Sequence, residues 1–290
     1  MKMSDSVSVV IPTLNAEPEI EDLLALLEAQ TFAPREIIVI DSSSDDHTVE
    51  IAKAHSLVRV IEIQRKDFDH GGTRNLGFNE SVGDFVLFMT QDAVPVDEFL
   101  LEKLLRPFED GDVAIVSARQ LPKEDARPFE RLVREFNYPD ESNKRSEKDI
   151  KRLGIKAFFS SDVCCMYRRS SLSLIGGVPT PCSTNEDMLA AARCLKADMS
   201  VCYVADACVY HSHNLSINRQ FQRNKEIGMF LSRHDNELGV SSESSEGKKL
   251  VEFVVRGLWD ERNVVEILAF TFDCLARLLG NKVGRRLGAK

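Results

Sequence analysis

No C-x-x-C pair occurs among the seven cysteines, at positions 164, 165, 182, 194, 202, 208 and 274. Neither a zinc ribbon nor a dithiol redox pair is therefore written into the chain, and the odd count speaks against a disulfide framework. Small reduced core residues of a cytosolic protein are the plainer reading. A basic excess is also missing: the formal net charge is -9, whereas general nucleic-acid binding wants a positive surface. No G-x-G-x-x-G opens the first helix, which removes the dinucleotide fingerprint of an oxidoreductase. Residues 1–6 hold no apolar core like that of a signal peptide. No apolar run approaches the roughly 20 residues that a bilayer span needs.

What is present suffices for a large α/β fold. Of 290 residues, 43% are apolar and 29% charged, an ordinary globular balance with ample core material. Ser6 to Ile11 reads as a strand broken by Pro12-Thr13-Leu14-Asn15. Ile20, Leu23, Leu24 and Leu27 then recur at helical spacing behind acids that suit a helix start. Glu36 to Ile40 is a second buried strand, Thr48 to His55 a helix, and Val58 to Ile63 a third strand. This alternation predicts a doubly wound sheet.

The stretch around which the chain is organised is Asp84 to Pro95. Phe85 to Met89 predicts a strand buried on both faces, which delivers Thr90-Gln91-Asp92 to its C-terminal end. Ligands of open α/β sheets bind along that edge, so Asp92 suits a cation or a ligand hydroxyl. A capped turn with a solvated aspartate is the plain alternative. Pro95, Asp97 and Glu98 predict the start of the next helix, running to Phe108. Asp41, ending the second strand, meets the same edge beside small hydroxyls, among them Ser43. It can accept hydrogen bonds from a base or ribose, or merely cap a helix. Between these lies His70-Gly71-Gly72-Thr73-Arg74-Asn75, where two glycines would let the backbone approach a phosphate and Arg74 offers a positive fork.

Farther on, Val113 to Ala118 predicts a strand, residues 120–155 a charged excursion with a helical piece around Phe129 to Phe136, and Phe158 to Tyr167 another strand. Glu186-Asp187 falls in the first turn of a predicted helix, where acids are also favoured for the helix dipole alone. Ser200 to Val209 predicts an edge strand ending in His211-Ser212-His213. Two histidines two apart on extended backbone point the same way and can share a ligand. Asn218 to Arg233 predicts a polar helix, and Ser241 to Lys249 a linker by composition. Apolar helices follow over Val251 to Trp259 and Val264 to Leu279, before a basic tail at Lys282, Arg285, Arg286 and Lys290. Such helices suit membrane-surface docking, a subunit interface or packing on the main domain.

The ordered set Pro12-Thr13-Leu14-Asn15, Asp41 with its serine and aspartate followers, Arg74-Asn75 and the triplet ending in Asp92 resembles inverting family 2 glycosyltransferases of the GT-A fold. His70-Gly71-Gly72-Thr73-Arg74-Asn75 and Thr90-Gln91-Asp92-Ala93 are similar to the bacterial rhamnosyltransferase branch. The resemblance implies a mixed, mostly parallel sheet flanked by helices, with residues 1–240 as the catalytic domain and 241–290 as a linker plus a C-terminal helical appendage. It implies donor contacts from Pro12, Thr13, Asn15, Asp41, Ser43, Arg74, Asn75, Gln91 and Asp92. Mg2+ or Mn2+ would lie on Asp92, with His211 and His213 completing the shell. Asp187 would be the general base and Glu186 an acceptor-positioning group. The donor would be a nucleotide-diphospho-sugar, dTDP-rhamnose favoured, and the acceptor a saccharide or lipid-linked saccharide, in cell-surface polysaccharide synthesis. The expected location is the cytoplasm, peripherally on the inner face of the cell membrane if the C-terminal helices dock there, or as a homodimer if they pair. One position departs from the pattern: Thr90 stands where the family's triplet has its first acid. A sugar nucleotidylyltransferase would want its Gly-Thr-Arg loop after the first strand, and a non-catalytic nucleotide-sugar-binding module is the alternative that Thr90 keeps open.

Overall fold

The computed structural model describes residues 5–239 and 244–289. Its strands are β1 (Val7–Thr13), β2 (Glu36–Asp41), β3 (Val58–Glu62), β4 (Phe85–Met89), β5 (Val94–Pro95), β6 (Val113–Leu121), β7 (Asn143–Arg145), β8 (Cys164–Arg168) and β9 (Ser200–Tyr210). They form one sheet in the order β3-β2-β1-β4-β8-β6-β9-β5, with β7 also paired to β9. β1, β2, β3 and β4 are parallel neighbours, β8 runs antiparallel between β4 and β6, and β6 is parallel to β9.

Period-two alternation explains why these apolar runs are strands. Val7, Val9 and Ile11 of β1, Ile37 and Val39 of β2, and Phe85, Leu87 and Met89 of β4 enter one core layer, under helices Glu17–Glu28 and Leu100–Leu105. Val10, Ile38, Ile40, Val86 and Phe88 point the other way, into a layer with Phe78, Leu189, Leu195 and Phe230. Each fully buried side chain of this kind is worth roughly 1.5–3 kcal/mol, so helices on both faces follow from the pattern.

Several boundaries differ from the expectation. β1 runs through Pro12 and Thr13, because Pro12 pairs with Ile40 and Thr13 with Asp41 in the parallel ladder. Pro95 belongs to β5, and the helix expected from Glu98 starts at Leu100 and gives way after Leu105 to a 3-10 turn over Arg106–Glu109. The strand expected from Phe158 begins only at Cys164; Phe158 closes a 3-10 turn, leaving Ser160 to Val163 as a bend. β9 is no edge strand, since β6 pairs along one side and β5 and β7 along the other. Of the expected linker, residues 241–243 lie outside the described residues, and the chain is helical from Ser244 to Asp260.

The last helix, Val264–Gly288, lies along helix Ile217–Arg233. Gly280 and Gly284 are buried there. A Cβ on Gly280 would meet the Phe221 carbonyl at 2.4 Å, and one on Gly284 the Lys225 carbonyl at 2.0 Å. Only glycine permits that approach. Helix Ser244–Asp260 packs on helix Pro128–Asn137 through Val254, Leu258, Phe129 and Val133, and Phe270 of the last helix joins the same cluster. Among the described residues no helix is long and apolar enough to cross a membrane.

Candidate active site

The first group is made by the sheet itself. Val94 pairs antiparallel with Tyr210, so the segment just before β5 faces the segment just after β9. Asp92 Oδ2 therefore lies 3.4 Å from His211 Nε2 and 3.3 Å from His213 Nε2. One donor atom from each of the three fits within 4.8 Å. The Gln120 side-chain oxygen accepts a hydrogen bond from the Arg134 guanidinium. It also lies 2.9 Å from His211 Nδ1, so Nδ1 is the protonated nitrogen and Nε2 keeps its lone pair. Two acceptors, an imidazole nitrogen and a carboxylate oxygen, thus confront each other. Burial pushes the His211 pKa down to about 3 and also depresses His213. Neutral imidazoles beside a carboxylate, one of them oriented from behind by an amide, are a donor set that fits a divalent first-row metal ion.

The second group is a buried knot of charge. Arg74, on helix His70–Glu80, has its Nη1 2.9 Å from Glu186 Oε1 and its Nε 3.3 Å from Asp162 Oδ2, all three side chains being almost wholly buried. Tyr167 donates its hydroxyl to Asp162 Oδ1 at 2.7 Å. Asp187 completes the knot: its Oδ2 accepts from the Asp162 amide at 3.2 Å and its Oδ1 from the Met188 amide at 2.7 Å. Three carboxylates share one guanidinium, which cannot balance them all. Burial, then the neighbouring Asp162 and Glu186, push Asp187 well above the usual carboxylate range. Burial raises Asp162 to about 7 despite Arg74. Asp162 is thereby poised to exchange a proton near neutral pH, and Asp187 holds a proton more readily than an ordinary carboxylate.

The third group frames a hollow of about 230 Å³ lined by Pro12, Thr13, Ser42, Phe68, Arg74 and Gln91, among others. Its loops are tied by side chains rather than by ladder bonds. Asp41 accepts from Thr13 Oγ1 at 3.1 Å, from Ser44 Oγ at 2.5 Å and from the Ser44 amide at 2.8 Å. Gln91 bonds both backbone groups of Leu14, at 2.8 and 3.2 Å. Asn15 accepts from the Asp45 amide at 2.9 Å, and Ser43 donates to the Ile63 carbonyl at 2.9 Å. Both hold left-handed backbone, with φ of 50 and 60°. Gln91 also lines a neighbouring polar hollow with Asp92 and His213, so one cleft leads from the loops of β1 and β2 to the imidazoles.

Residues 8–176 match the family described as Glycosyl transferase family 2. The chain belongs to that family. An O-antigen chain rhamnosyltransferase of Salmonella typhimurium, RfbN, is 40% identical over 77% of this chain and 72% of its own length. The corresponding enzyme of Salmonella anatum, WbaN, is 40% identical over 78% and 72%. Among solved structures, a mannosyltransferase of Pyrobaculum calidifontis, in complex with GDP-Man and Mn2+, superposes with a TM-score of 0.64 at 17% identity, covering 95% of this chain and 86% of that one. Staphylococcus aureus TarS, in complex with UDP-GlcNAc, gives 0.60 at 19%, covering 87% and 72%. These likenesses establish the GT-A architecture with added C-terminal helices.

In this glycosyltransferase several of the expected site residues also make contacts that hold the fold together. Arg74 is committed to Glu186 and Asp162, although it still lines the nucleoside-sized hollow. Asn75 accepts from the Val178 amide at 3.0 Å and so holds the loop before helix Glu186–Lys196. Gly71 and Gly72 lie inside a helical turn capped by Asp69. A Cβ on Gly71 would strike the Pro179 carbonyl at 2.0 Å, so Gly71 answers to packing against that loop. Asn185, just before helix Glu186–Lys196, accepts from Thr184 Oγ1 at 3.0 Å. Thr90 Oγ1 is buried beside Asp92, whose pKa it helps to lower. Sequence reasoning missed Asp162, Tyr167 and Gln120. A lone aspartate inside the apolar run around Cys164 was the one signal for Asp162, and Gln120 offered none.

Proposed function

We propose that this glycosyltransferase is an inverting, divalent-metal-dependent rhamnosyltransferase. It would move rhamnose from dTDP-rhamnose to a hydroxyl of a saccharide or lipid-linked saccharide acceptor in cell-surface polysaccharide assembly. The sugar assignment is carried by the 40% identity to two O-antigen chain rhamnosyltransferases over about three quarters of the chain.

In this reading, Pro12, Thr13, Asn15, Asp41, Ser43 and Gln91 shape the nucleoside end of the cleft. Asp92, His211 and His213 would hold the metal ion, and Mn2+ suits two imidazoles better than Mg2+, which favours oxygen shells. Such an ion supplies charge neutralisation to the departing diphosphate. Asp187 accepts the proton of the acceptor hydroxyl as that oxygen attacks the anomeric carbon and the bond to the diphosphate breaks. Its oxygens are held by two backbone amides, so the base is aimed before the acceptor arrives. Glu186 and Arg74 carry the surrounding charge. A single displacement inverts the centre, with no covalent sugar on the protein.

Residues 1–240 serve as the catalytic domain and 241–290 as its helical extension. We place the working protein in the cytoplasm, peripherally on the membrane. Val265, Leu268, Phe272, Leu275 and Leu279 of the last helix are exposed on a surface that also carries Lys282 and Arg286, a composition suited to an anionic lipid interface. Flotation with phosphatidylglycerol-containing vesicles should carry the wild type and leave Phe272→Glu/Leu275→Glu behind; equal recovery of both rejects the placement.

The donor test is thermal stabilisation by dTDP-rhamnose and its UDP and GDP counterparts in Mn2+, followed by product analysis of transfer. Preferential stabilisation by dTDP-rhamnose is expected, since a ligand of the native state raises its melting temperature. An unchanged melting temperature with dTDP-rhamnose, beside a rise with another sugar nucleotide, removes the assignment.

A further inference from the structure

A further cavity lies beyond His213, away from the nucleoside end. It encloses about 220 Å³ between helices Pro128–Asn137, Ile217–Arg233 and Val264–Gly288, and three guanidiniums, of Arg134, Arg223 and Arg277, line it. Two of them have carboxylate partners. Arg134 Nε is 3.1 Å from Glu130 Oε1, and Arg277 Nε is 2.6 Å from Asp273 Oδ2. Asp273 Oδ2 is further engaged by Gln220 Nε2 at 3.3 Å. Arg223 has neither an ion-pair nor a hydrogen-bond partner among the described residues. Its side chain is exposed to solvent at the mouth of the cavity. Partial loss of water on its cavity side, then the charges of Arg134 and Arg277, hold its pKa below the usual guanidinium value.

Placing a third guanidinium beside two others is costly unless an anion joins them. Water screens part of that cost at an exposed side chain, but a concave wall screens less than an open surface. Guanidinium forks match phosphate oxygens in pairs. His213 and Asn214 line both this cavity and the polar hollow at Asp92, so an anion held by Arg223 would lie next to the proposed reaction centre.

We propose that the Arg134, Arg223 and Arg277 cavity is a binding site for a phosphate or diphosphate group of a substrate. The group has two sources, the nucleoside diphosphate of the donor and a phosphorylated acceptor. The position beside the reacting atoms rests on the rhamnosyltransferase reading, whereas the anion site itself does not.

The test uses the full chain in EDTA, so that the Asp92 centre holds no metal, with inorganic pyrophosphate as the probe in isothermal titration calorimetry. Saturable binding by the wild type is expected, with Arg223→Gln weaker by roughly ten-fold or more, the usual scale for losing a charge-assisted bond. Arg223→Lys should recover part of the loss through its charge. Arg223 is reachable from solvent, so the variants should keep the wild-type melting temperature, which is measured alongside. A second arm adds dTDP to the pyrophosphate titration: competition assigns the site to the donor diphosphate, and undiminished binding assigns it to a phosphorylated acceptor. Absence of metal-free pyrophosphate binding by the wild type overturns the proposal, and so does equal affinity in Arg223→Gln. Neither result touches the sugar transfer itself, which is read separately with dTDP-rhamnose and Mn2+.

Discussion

Asp162→Asn is the substitution that most directly probes the buried charge around Asp187. Asparagine keeps the shape of the side chain and the backbone amide that donates to Asp187 Oδ2 at 3.2 Å, but removes one of the two carboxylates that raise the Asp187 pKa. Two unit charges about 5 Å apart at an effective dielectric of about 20 interact by about 3 kcal/mol, or roughly two pH units. Asp162 is itself raised to about 7 and faces Arg74, so near neutrality it bears only part of a charge and the effect falls to about one unit. The sign follows from the group removed. Without a neighbouring negative charge Asp187 ionises more easily, its pKa drops, and the acid limb of kcat/KM moves to lower pH. The assay is rhamnosyl transfer at saturating Mn2+ across that limb, with thermal melts confirming the fold at each pH. An acid limb that stays in place in a folded Asp162→Asn protein, or moves to higher pH, refutes the coupling. Stability changes along with it. Folded-state pKa values raised above the unfolded ones mean that this knot stabilises the protein below the ordinary carboxylate range, and that the contribution fades as pH rises through the folded values. Asp162→Asn should therefore flatten the loss of stability between about pH 4 and 7.

Two further outcomes concern the same cleft. Asp187→Asn should lower kcat by about 10²–10⁴-fold, the scale of a lost general base, while dTDP-rhamnose still raises the melting temperature; near-normal turnover would remove Asp187 from the chemistry. Gln120→Leu should weaken Mn2+ binding by roughly 10–100-fold, because His211 loses the acceptor that fixes its tautomer. Electron paramagnetic resonance titration of free Mn2+ reads this directly, and an unchanged affinity would show that the imidazole needs no support.

The first half of the sheet was legible because β1, β2 and β4 are continuous apolar runs whose alternate residues feed two core layers. Their C-terminal polar residues, Thr13, Asp41 and Asp92, could be assigned to one edge from that fact alone. β5 and β7 were not legible. The first is two residues long and contains Pro95, and the second, Asn143–Arg145, is polar; both exist only because β9 offers them a ladder. The overlong strand at Phe158 arose because aromatic side chains of a 3-10 turn extend an apolar pattern into Cys164. That error hid Asp162, whose place in a bend lets it turn back toward Arg74. The histidines were readable as a pair from their spacing. The ion pairs of Arg74 were not, because Asp162 and Glu186 lie far along the chain and spacing carries no information about charge that meets only after folding.

The C-terminal helix connects this cleft to a segment that composition alone would set apart. Gly280 and Gly284, one helical turn apart, let helix Val264–Gly288 touch the backbone of helix Ile217–Arg233, which fixes Arg277 and Asp273 of the former against Arg223 and Gln220 of the latter. Gly284→Val tests whether that closeness matters to the anion cavity. A Cβ already meets the Lys225 carbonyl at 2.0 Å, so the helices must part, at a cost of about 1–3 kcal/mol by the usual scale of overpacking. Chemical denaturation should record that loss. Parting the helices also draws Arg277 away from Arg223, so metal-free pyrophosphate binding should weaken. Mn2+ affinity should not change, since Asp92, His211, His213 and Gln120 come from the sheet and its loops. Equal weakening of both ligands would mean that the helix supports the whole cleft; an unchanged pyrophosphate affinity in a destabilised protein would detach the C-terminal helix from substrate binding altogether.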